Sequence, residues 1–349
     1  MHRGIVDALA SAALFGTSTP VAKALLGTMI PLMPAGLLYA GAGLGLAAVL
    51  AVRRIAGRDR DLVAWPKRAD AAWLAAAIAL GGVAGPVALM AGLATTAAST
   101  ASLLLNLEAV FTAVVAWILF RENVDRRVAA GMAAIVAGGV VLAFVPHARD
   151  SGATGPWLVA LACLCWALDD NLTRRVSGSD AVANAMLKGL VAGAVNLTLA
   201  QVQGAPLPPV TQALAAAAVG FLGYGVSLVL FVLALRDLGT ARTGAYYSVA
   251  PFFGASVAVA ALGDPVTWQL AVAGSLMAIG AWLHVTERHA HRHAHERVEH
   301  EHPHVHDAHH RRAHTFAWDG REPHSHPHDH EPVVHSHPHY PDLHHRHPH

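Results

Sequence analysis

Along the chain, apolar runs of roughly twenty residues alternate with short breaks, and a run of that length, wound as an α-helix, matches a hydrocarbon core of about 30 Å. The pattern predicts five spans in the first half: Ile5 to Leu25, Leu32 to Val52, Asp70 to Met90, Thr96 to Leu119 and Val128 to Val145. Five more follow: Trp157 to Thr173, Val182 to Gln203, Thr211 to Leu235, Thr240 to Leu262 and Thr267 to Thr286. The expected fold is an all-α membrane protein of ten transmembrane helices. They fall in two five-helix units, 5–145 and 156–286, and a tail over 287–349 is low in aliphatic residues.

The breaks alternate in charge. Arg53, Arg54, Arg58, Arg60, Lys67 and Arg68 follow the second span, Arg121, Arg126 and Arg127 the fourth, Arg174 and Arg175 the sixth, and Arg236 and Arg242 the eighth. The breaks around 27–31, 92–95, 204–209 and 263–265 carry neither lysine nor arginine. Basic residues concentrate on the cytoplasmic side of a membrane, so both termini are expected in the cytoplasm. The first run continues through Pro20 and Lys23 without a clear cleavage site, so it reads as a span rather than a signal peptide. Five spans is an odd number, and the second unit therefore enters the membrane from the opposite side. Inverted repeats of this kind place a binding site near the midplane between the halves.

The halves also echo each other. TASLLLNLEAVFTAVVAWILFRENV lies over RTGAYYSVAPFFGASVAVAALGDPV, pairing Ala113 with Ala255, Ala116 with Ala258, Val124 with Val266 and, beyond the turn, Gly138 with Gly280. In the first span, Phe15, Gly16 and Lys23 align with Trp166, Ala167 and Arg174 of the sixth.

Composition agrees with a membrane protein. Of 349 residues 54% are hydrophobic and 13% charged, with a mean hydropathy of +0.42, whereas soluble domains carry about 25% charged residues. The 31 glycines suit helices that pack through small residues where lipid gives no hydrophobic drive for association. Cys163 and Cys165, two apart in an apolar run, point to different faces of a helix and read as small core residues. The sequence has no phosphate-cradling glycine motif and no nucleophile constellation. Neither ATP hydrolysis nor another enzymatic activity is expected, nor is a nucleic-acid partner.

Two five-span repeats, the first-span pattern ALFGTSTPVAK and the fourth-span pattern NLEAVFTAVVAWILFRE resemble the EamA-type transporters of the drug/metabolite transporter superfamily. The resemblance covers roughly Ile5 to Val285 and implies a secondary carrier in the inner (plasma) membrane. In that family the residue after the acid is commonly proline. Here that position is Ala109, and the proline stands only in the second repeat, as Pro251.

An ionisable group at mid-depth needs a partner, a water-filled cavity or a proton. Glu108 stands near the middle of the fourth span, and the sixth carries Asp169, Asp170, Asn171 and Thr173. Lys188 in the seventh is the cation available to one of these acids. These residues are the candidates for substrate binding and coupling. Asn106 and Thr112 are alternative hydrogen-bond partners that would make Glu108 a structural acid, and the sixth-span acids would be interfacial if their helix stopped near Leu168. Gly16, Asn106, Tyr247 and Pro251 are candidates for cavity lining or hinges. Lys23 and Arg174, near helix ends, are expected to reach for the interface.

Apart from His2 and His147, all 25 histidines fall from His284 onward. His291, His293, His295, His300, His302, His304, His306, His324, His326, His328, His330, His335, His337 and His339 are interspersed with acids and prolines. The tail is expected to be disordered, and its imidazoles suit zinc, nickel, cobalt or copper. It would also turn cationic below about pH 6.5. The function expected is a proton-coupled exporter of a small polar metabolite or amino acid, needing no cofactor; a homodimer is allowed. The alternatives are a transporter of divalent transition metals and a membrane-anchored metal sensor that transports nothing.

Overall fold

The computed structural model describes residues 2–27, 29–55, 65–120, 126–143, 154–173 and 180–285, and in the tail 290–295, 298–304, 324–330 and 333–338. Arg58, Arg60, Arg121, Arg174 and Arg175, with His306 and His339, lie outside the described residues. The chain divides into two units, Met1–Thr286 and Glu287–His349.

The first unit is helical. In its first half α1 (His2–Leu26) and α2 (Leu32–Ile55) are followed by α3 (Ala71–Ala77), which runs through a π-helical segment, Ile78–Ala84, into α4 (Gly85–Thr95). Then come α5 (Ala98–Leu104), α6 (Leu107–Phe120) and α7 (Arg126–Ala143). The second half repeats this order. It contains α8 (Thr154–Thr173), α9 (Ala181–Val202), and α10 (Val210–Gly220), which runs through the π-helical segment Phe221–Val226 into α11 (Ser227–Leu238), then α12 (Thr240–Tyr247), α13 (Ala250–Leu262) and α14 (Trp268–Val285). Among the described residues, eight helical stretches are long and apolar enough to cross a membrane. Helices α8 and α14 occupy the two further places where the sequence predicts spans.

Two predicted spans are interrupted rather than continuous. The fourth breaks at Leu105–Asn106, between α5 and α6, and the ninth at Ser248–Val249, between α12 and α13. Residues 106 and 248 are equivalent in the sequence echo, and at both the side chain bonds back three residues. Asn106 Nδ2 donates to Leu103 O at 2.9 Å and Ser248 Oγ to Ala245 O at 2.8 Å. A side chain that takes up a helical carbonyl competes with the helix itself, so the fourth span breaks beside Glu108 although Ala109 stands in place of proline. The π-helical segments are equivalent too, Gly81 in one matching Gly223 in the other by the same displacement.

The interior combines alanines and polar residues with large side chains such as Leu38, Leu93, Ile135 and Met277, and the periphery also carries large apolar residues. Ala12, Ala192, Ala234 and Ala258 are wholly buried, while Leu44, Ile118, Trp157, Leu214 and Trp282 are exposed on helix flanks. An apolar periphery of this kind fits a surface solvated by lipid. Helices α2 and α9 approach backbone to backbone, and a Cβ on Gly189 would meet Gly43 Cα at 2.8 Å and Tyr39 O at 2.9 Å. Ser11 and Ser227 join α1 to α11, each hydroxyl reaching the other residue's carbonyl, at 2.7 and 3.1 Å.

In the tail, β1 (Ala290–His295) pairs antiparallel with β4 (Val333–Pro338), and β2 (Val298–His304) with β3 (His324–His330). Their His-x-His spacing has the period of two that a strand requires, and backbone pairing asks nothing of aliphatic content.

Gly189→Leu is expected to lower the melting temperature in detergent, because the larger side chain must force α2 and α9 apart. Gly244→Ala, where an added Cβ meets nothing within 4 Å, should leave it unchanged or slightly raised.

Candidate functional site

Between the two halves of the helical unit lies a cavity of about 750 Å³ lined by residues of both. Its inner end is formed by mid-helix residues, among them Phe15 of α1, Tyr39 of α2, Trp166 of α8 and Tyr224 beside α11. From there it extends past Asp169 and Asp170 to Thr173, the last residue of α8, Ala181, the first of α9, and Leu235 in the last turn of α11. The cavity thus reaches toward the helix ends that border the basic breaks.

Glu108, Asp169, Asp170 and Lys188 all line it. Helix α8 continues past Leu168 to Thr173, so the acids are not released at a helix end. Asp169 is 5% exposed and accepts from Lys188 Nζ through both oxygens, at 2.7 and 2.6 Å. Thr173 Oγ1 donates to it as well, at 3.0 Å. Asp170 and Glu108 face the cavity, and among the described residues neither lies in an ion pair. Adjacent acids on a helix diverge by about 100°; the cavity is wide enough to receive both.

The Asp169 carboxylate packs against Gly81, where any side chain would collide with it. Gly81 also offers its carbonyl to two donors, Tyr39 OH at 2.7 Å and Trp166 Nε1 at 2.9 Å. In the other half Gly223 packs in the same way against Ser18, the residue aligned with Asp169 in the first-span echo. The two sites therefore share a backbone plan and differ in chemistry.

A continuous series of rings lines the same cavity. Centroid separations are 5.7 Å for Tyr39–Tyr224, 6.0 Å for Tyr224–Phe15, 5.7 Å for Phe15–Tyr247 and 4.8 Å for Tyr247–Phe231. All five rings line the cavity. Tyr247 is thus placed where the sequence suggested. Phe15, Tyr39 and Phe231 were not singled out as lining residues, since an aromatic residue in an apolar run carries no signal that separates a cavity wall from a lipid-facing one.

Other candidates lie elsewhere. Asn171 is buried on α8, donating to Ala167 O at 2.8 Å and Thr112 O at 3.4 Å. It joins α8 to α6 and is not part of the lining. Asn106 bonds Leu103 O and, at 3.9 Å, Met277 Sδ, so it does not hold Glu108. Gly16 lets α1 lie against the backbone of α13 at Ala250 O, and Pro251 opens α13 in its first turn. Both belong to the packing at the cavity's inner end. Beyond that end, Lys23 does not reach outward to an interface. Its Nζ donates to Leu93 O and Thr96 O, each at 2.6 Å, where α4 stops short of α5, and Asp264 accepts from Ser99 N in the first turn of α5 at 2.7 Å. Among the described residues of the helical unit no three His, Cys, Asp or Glu side chains are placed to hold a metal ion.

The profile of the EamA-like transporter family matches this chain twice, over residues 2–144 and 153–286. A protein of Methanothermobacter thermautotrophicus described as an uncharacterized transporter is 28% identical over 295 residues, covering 80% of this chain and 85% of its own. One solved crystal structure, 20% identical, superposes with a TM-score of 0.56 over 80% of this chain and 95% of that one. That last likeness concerns the fold alone.

Lys188→Ala and Asp169→Asn are each expected to destabilise the protein by about 3–5 kcal/mol, the usual cost of leaving one member of a buried pair uncompensated. The paired replacement Asp169→Leu with Lys188→Met should recover most of that loss. Thermal unfolding of the purified protein in detergent, arranged as a double-mutant cycle, measures the coupling.

Proposed function

Because the chain belongs to the EamA-like transporter family, we propose that it is a proton-coupled secondary transporter that exports a small polar metabolite or amino acid by alternating access between two inverted five-helix repeats. The observation that carries this reading is the cavity between the halves, in which Glu108 and Asp170 have no cationic partner among the described residues. Such groups within a membrane are expensive unless they handle a charged cargo or a proton. Glu108 comes from the first repeat and Asp170 from the second, so movement of one repeat against the other changes what each acid faces.

The form of the cavity supports a cytoplasm-facing state. It extends toward the basic breaks that the positive-inside pattern places in the cytoplasm. Its other end is shut by backbone contact between α1 and α13 at Gly16 and Gly254. Opening that end requires α1, α5 and α13 to part, and Lys23 to leave the carbonyls of Leu93 and Thr96. A divalent transition metal as cargo is disfavoured. Among the described residues the lining offers carboxylates without the imidazole or thiolate ligands that select such ions.

For the tail we propose binding of zinc, nickel, cobalt or copper. The strand register sets His291 opposite His337 and His293 opposite His335 in one ribbon, and His300, His302 and His304 opposite His328, His326 and His324 in the other. Spacing of two along each strand keeps these positions on one face.

In proteoliposomes, Glu108→Gln is expected to abolish proton movement coupled to substrate; retention of full coupled flux would remove Glu108 from the mechanism. Deleting residues 287–349 should leave organic-solute transport in place while eliminating zinc or nickel binding measured by isothermal titration calorimetry on the purified membrane protein.

A further inference from the structure

A second hollow, of about 330 Å³, opens on the flank of the helical unit, lined by Gly45, Ala48, Val49, Val52 and Arg53 of α2 and by Phe221 of the second half. We propose that it binds an anionic phospholipid of the cytoplasmic leaflet, with an acyl chain laid along the groove and the phosphate held at Arg53. None of these residues lines the cavity between the halves, so the site does not depend on what that cavity carries. The five α2 residues follow the spacing i, i+3, i+4, i+7, i+8, which sets them on one face of a helix. Eight residues of helical rise carry that stripe about 12 Å along the axis. At its inner end Gly45 has no side chain, the Phe221 ring lies against it, and a Cβ there would collide with the ring. Ala48 adds only a methyl group, Val49 and Val52 keep the stripe apolar, and Arg53 closes it in the last turn of α2. An unfilled groove in a lipid-facing surface forfeits dispersion contacts, which an acyl chain restores.

Charge selects the headgroup. Arg53 is partly buried, and among the described residues it has neither an ion pair nor a hydrogen bond. Long basic side chains near a helix end reach the headgroup level. The positive-inside pattern places this end of α2 at the cytoplasmic face, whose anionic lipids attract basic residues. A guanidinium meets a phosphate through two parallel N–H···O bonds. Arg54, the next residue, points about 100° away around the helix and does not line the groove. One guanidinium therefore has an apolar groove attached and its neighbour has not, which separates a lipid site from a merely basic surface. A second copy of the chain fits less well. Two copies oriented alike in the membrane and related by a two-fold axis meet at equal depth, so this stripe would bring Arg53 against its own counterpart.

The test uses the full chain, purified in detergent and stripped of lipid, titrated with dioleoylphosphatidylglycerol and read by native mass spectrometry. Phosphatidylglycerol is expected to bind more tightly than dioleoylphosphatidylcholine by about fivefold, the advantage that one basic residue near the surface gives an anionic lipid. Glycerol phosphate, which has the headgroup chemistry without the chains, should not displace it. Arg53→Gln should lower phosphatidylglycerol to the affinity of phosphatidylcholine, while Arg53→Lys keeps the preference and so separates loss of charge from loss of fold. Arg54→Gln should leave the preference as it is. Ala48→Phe, which fills the groove, should weaken both lipids. The proposal is overturned if phosphatidylglycerol is not preferred, if Arg53→Gln retains the preference, if Arg54→Gln loses it equally, or if glycerol phosphate competes. A dimer that Ala48→Phe dissociates would assign the groove to a second copy of the chain and overturn it as well.

Discussion

Inside a hydrocarbon layer a backbone carbonyl that loses its helical partner has no water to turn to, and it must be satisfied by another part of the protein. Much of this architecture follows from that constraint. Pro86 has no N–H, so the carbonyl of Gly82, four residues earlier, has no α-helical donor; the N–H of Gly85 reaches back five residues, to Leu80 O. The helix takes a π-helical path, and side chains from other spans supply what is missing. Tyr39 and Trp166 donate to Gly81 O and Asn196 to Gly82 O. Two of these three donors line the cavity, so satisfying the backbone also positions part of the cavity wall.

The same economy holds the charges. Asp169 and Lys188 lie on neighbouring spans, and burying either alone would be costly, whereas the pair compensates itself. Gly81 makes the room for it, since only a residue without a side chain leaves space for the carboxylate. Lys23 solves the complementary problem at the far end, where α4 stops at Thr95 and its last carbonyls lack helical donors. An ammonium at a helix C-terminus also suits the negative end of the helix dipole.

Much of this could be read from the sequence, and what could not has a physical cause. Length and hydropathy located the helical segments because the layer's thickness fixes how long an apolar run must be, and the intramembrane acids marked the cavity because such groups are rare in lipid. Lys188 was identified as the partner of an α8 acid, but spacing did not decide between Asp169 and Asp170, because that depends on the glycine opposite, in another helix. The break before Glu108 was hidden for a related reason. Its usual signal, proline, is replaced there by Ala109, and the break depends on the carbonyl that Asn106 takes up. Asn171 looked like a site residue by adjacency to the acids, yet one step along a helix turned it from the cavity to α6.

The two halves share a backbone plan and differ in where their acids stand. Their equivalents are Gly81 and Gly223, Asn106 and Ser248, Phe15 and Trp166. Yet Glu108 aligns with Ala250, while Asp169 and Asp170 align with Ser18 and Thr19. Had both halves kept the same side chains, each acid would have a twin and the cavity would hold twice the negative charge. As it stands, one acid without an ion-pair partner among the described residues comes from each repeat, and the distance between them is set by how the repeats meet. Two like charges oppose closure of the cavity unless something positive lies between them, and a bound cation or proton relieves that opposition in proportion to how close the acids come. The occupant of the cavity and the relative position of the repeats are therefore linked through these two carboxyl groups, and the linkage needs no contact beyond the cavity itself.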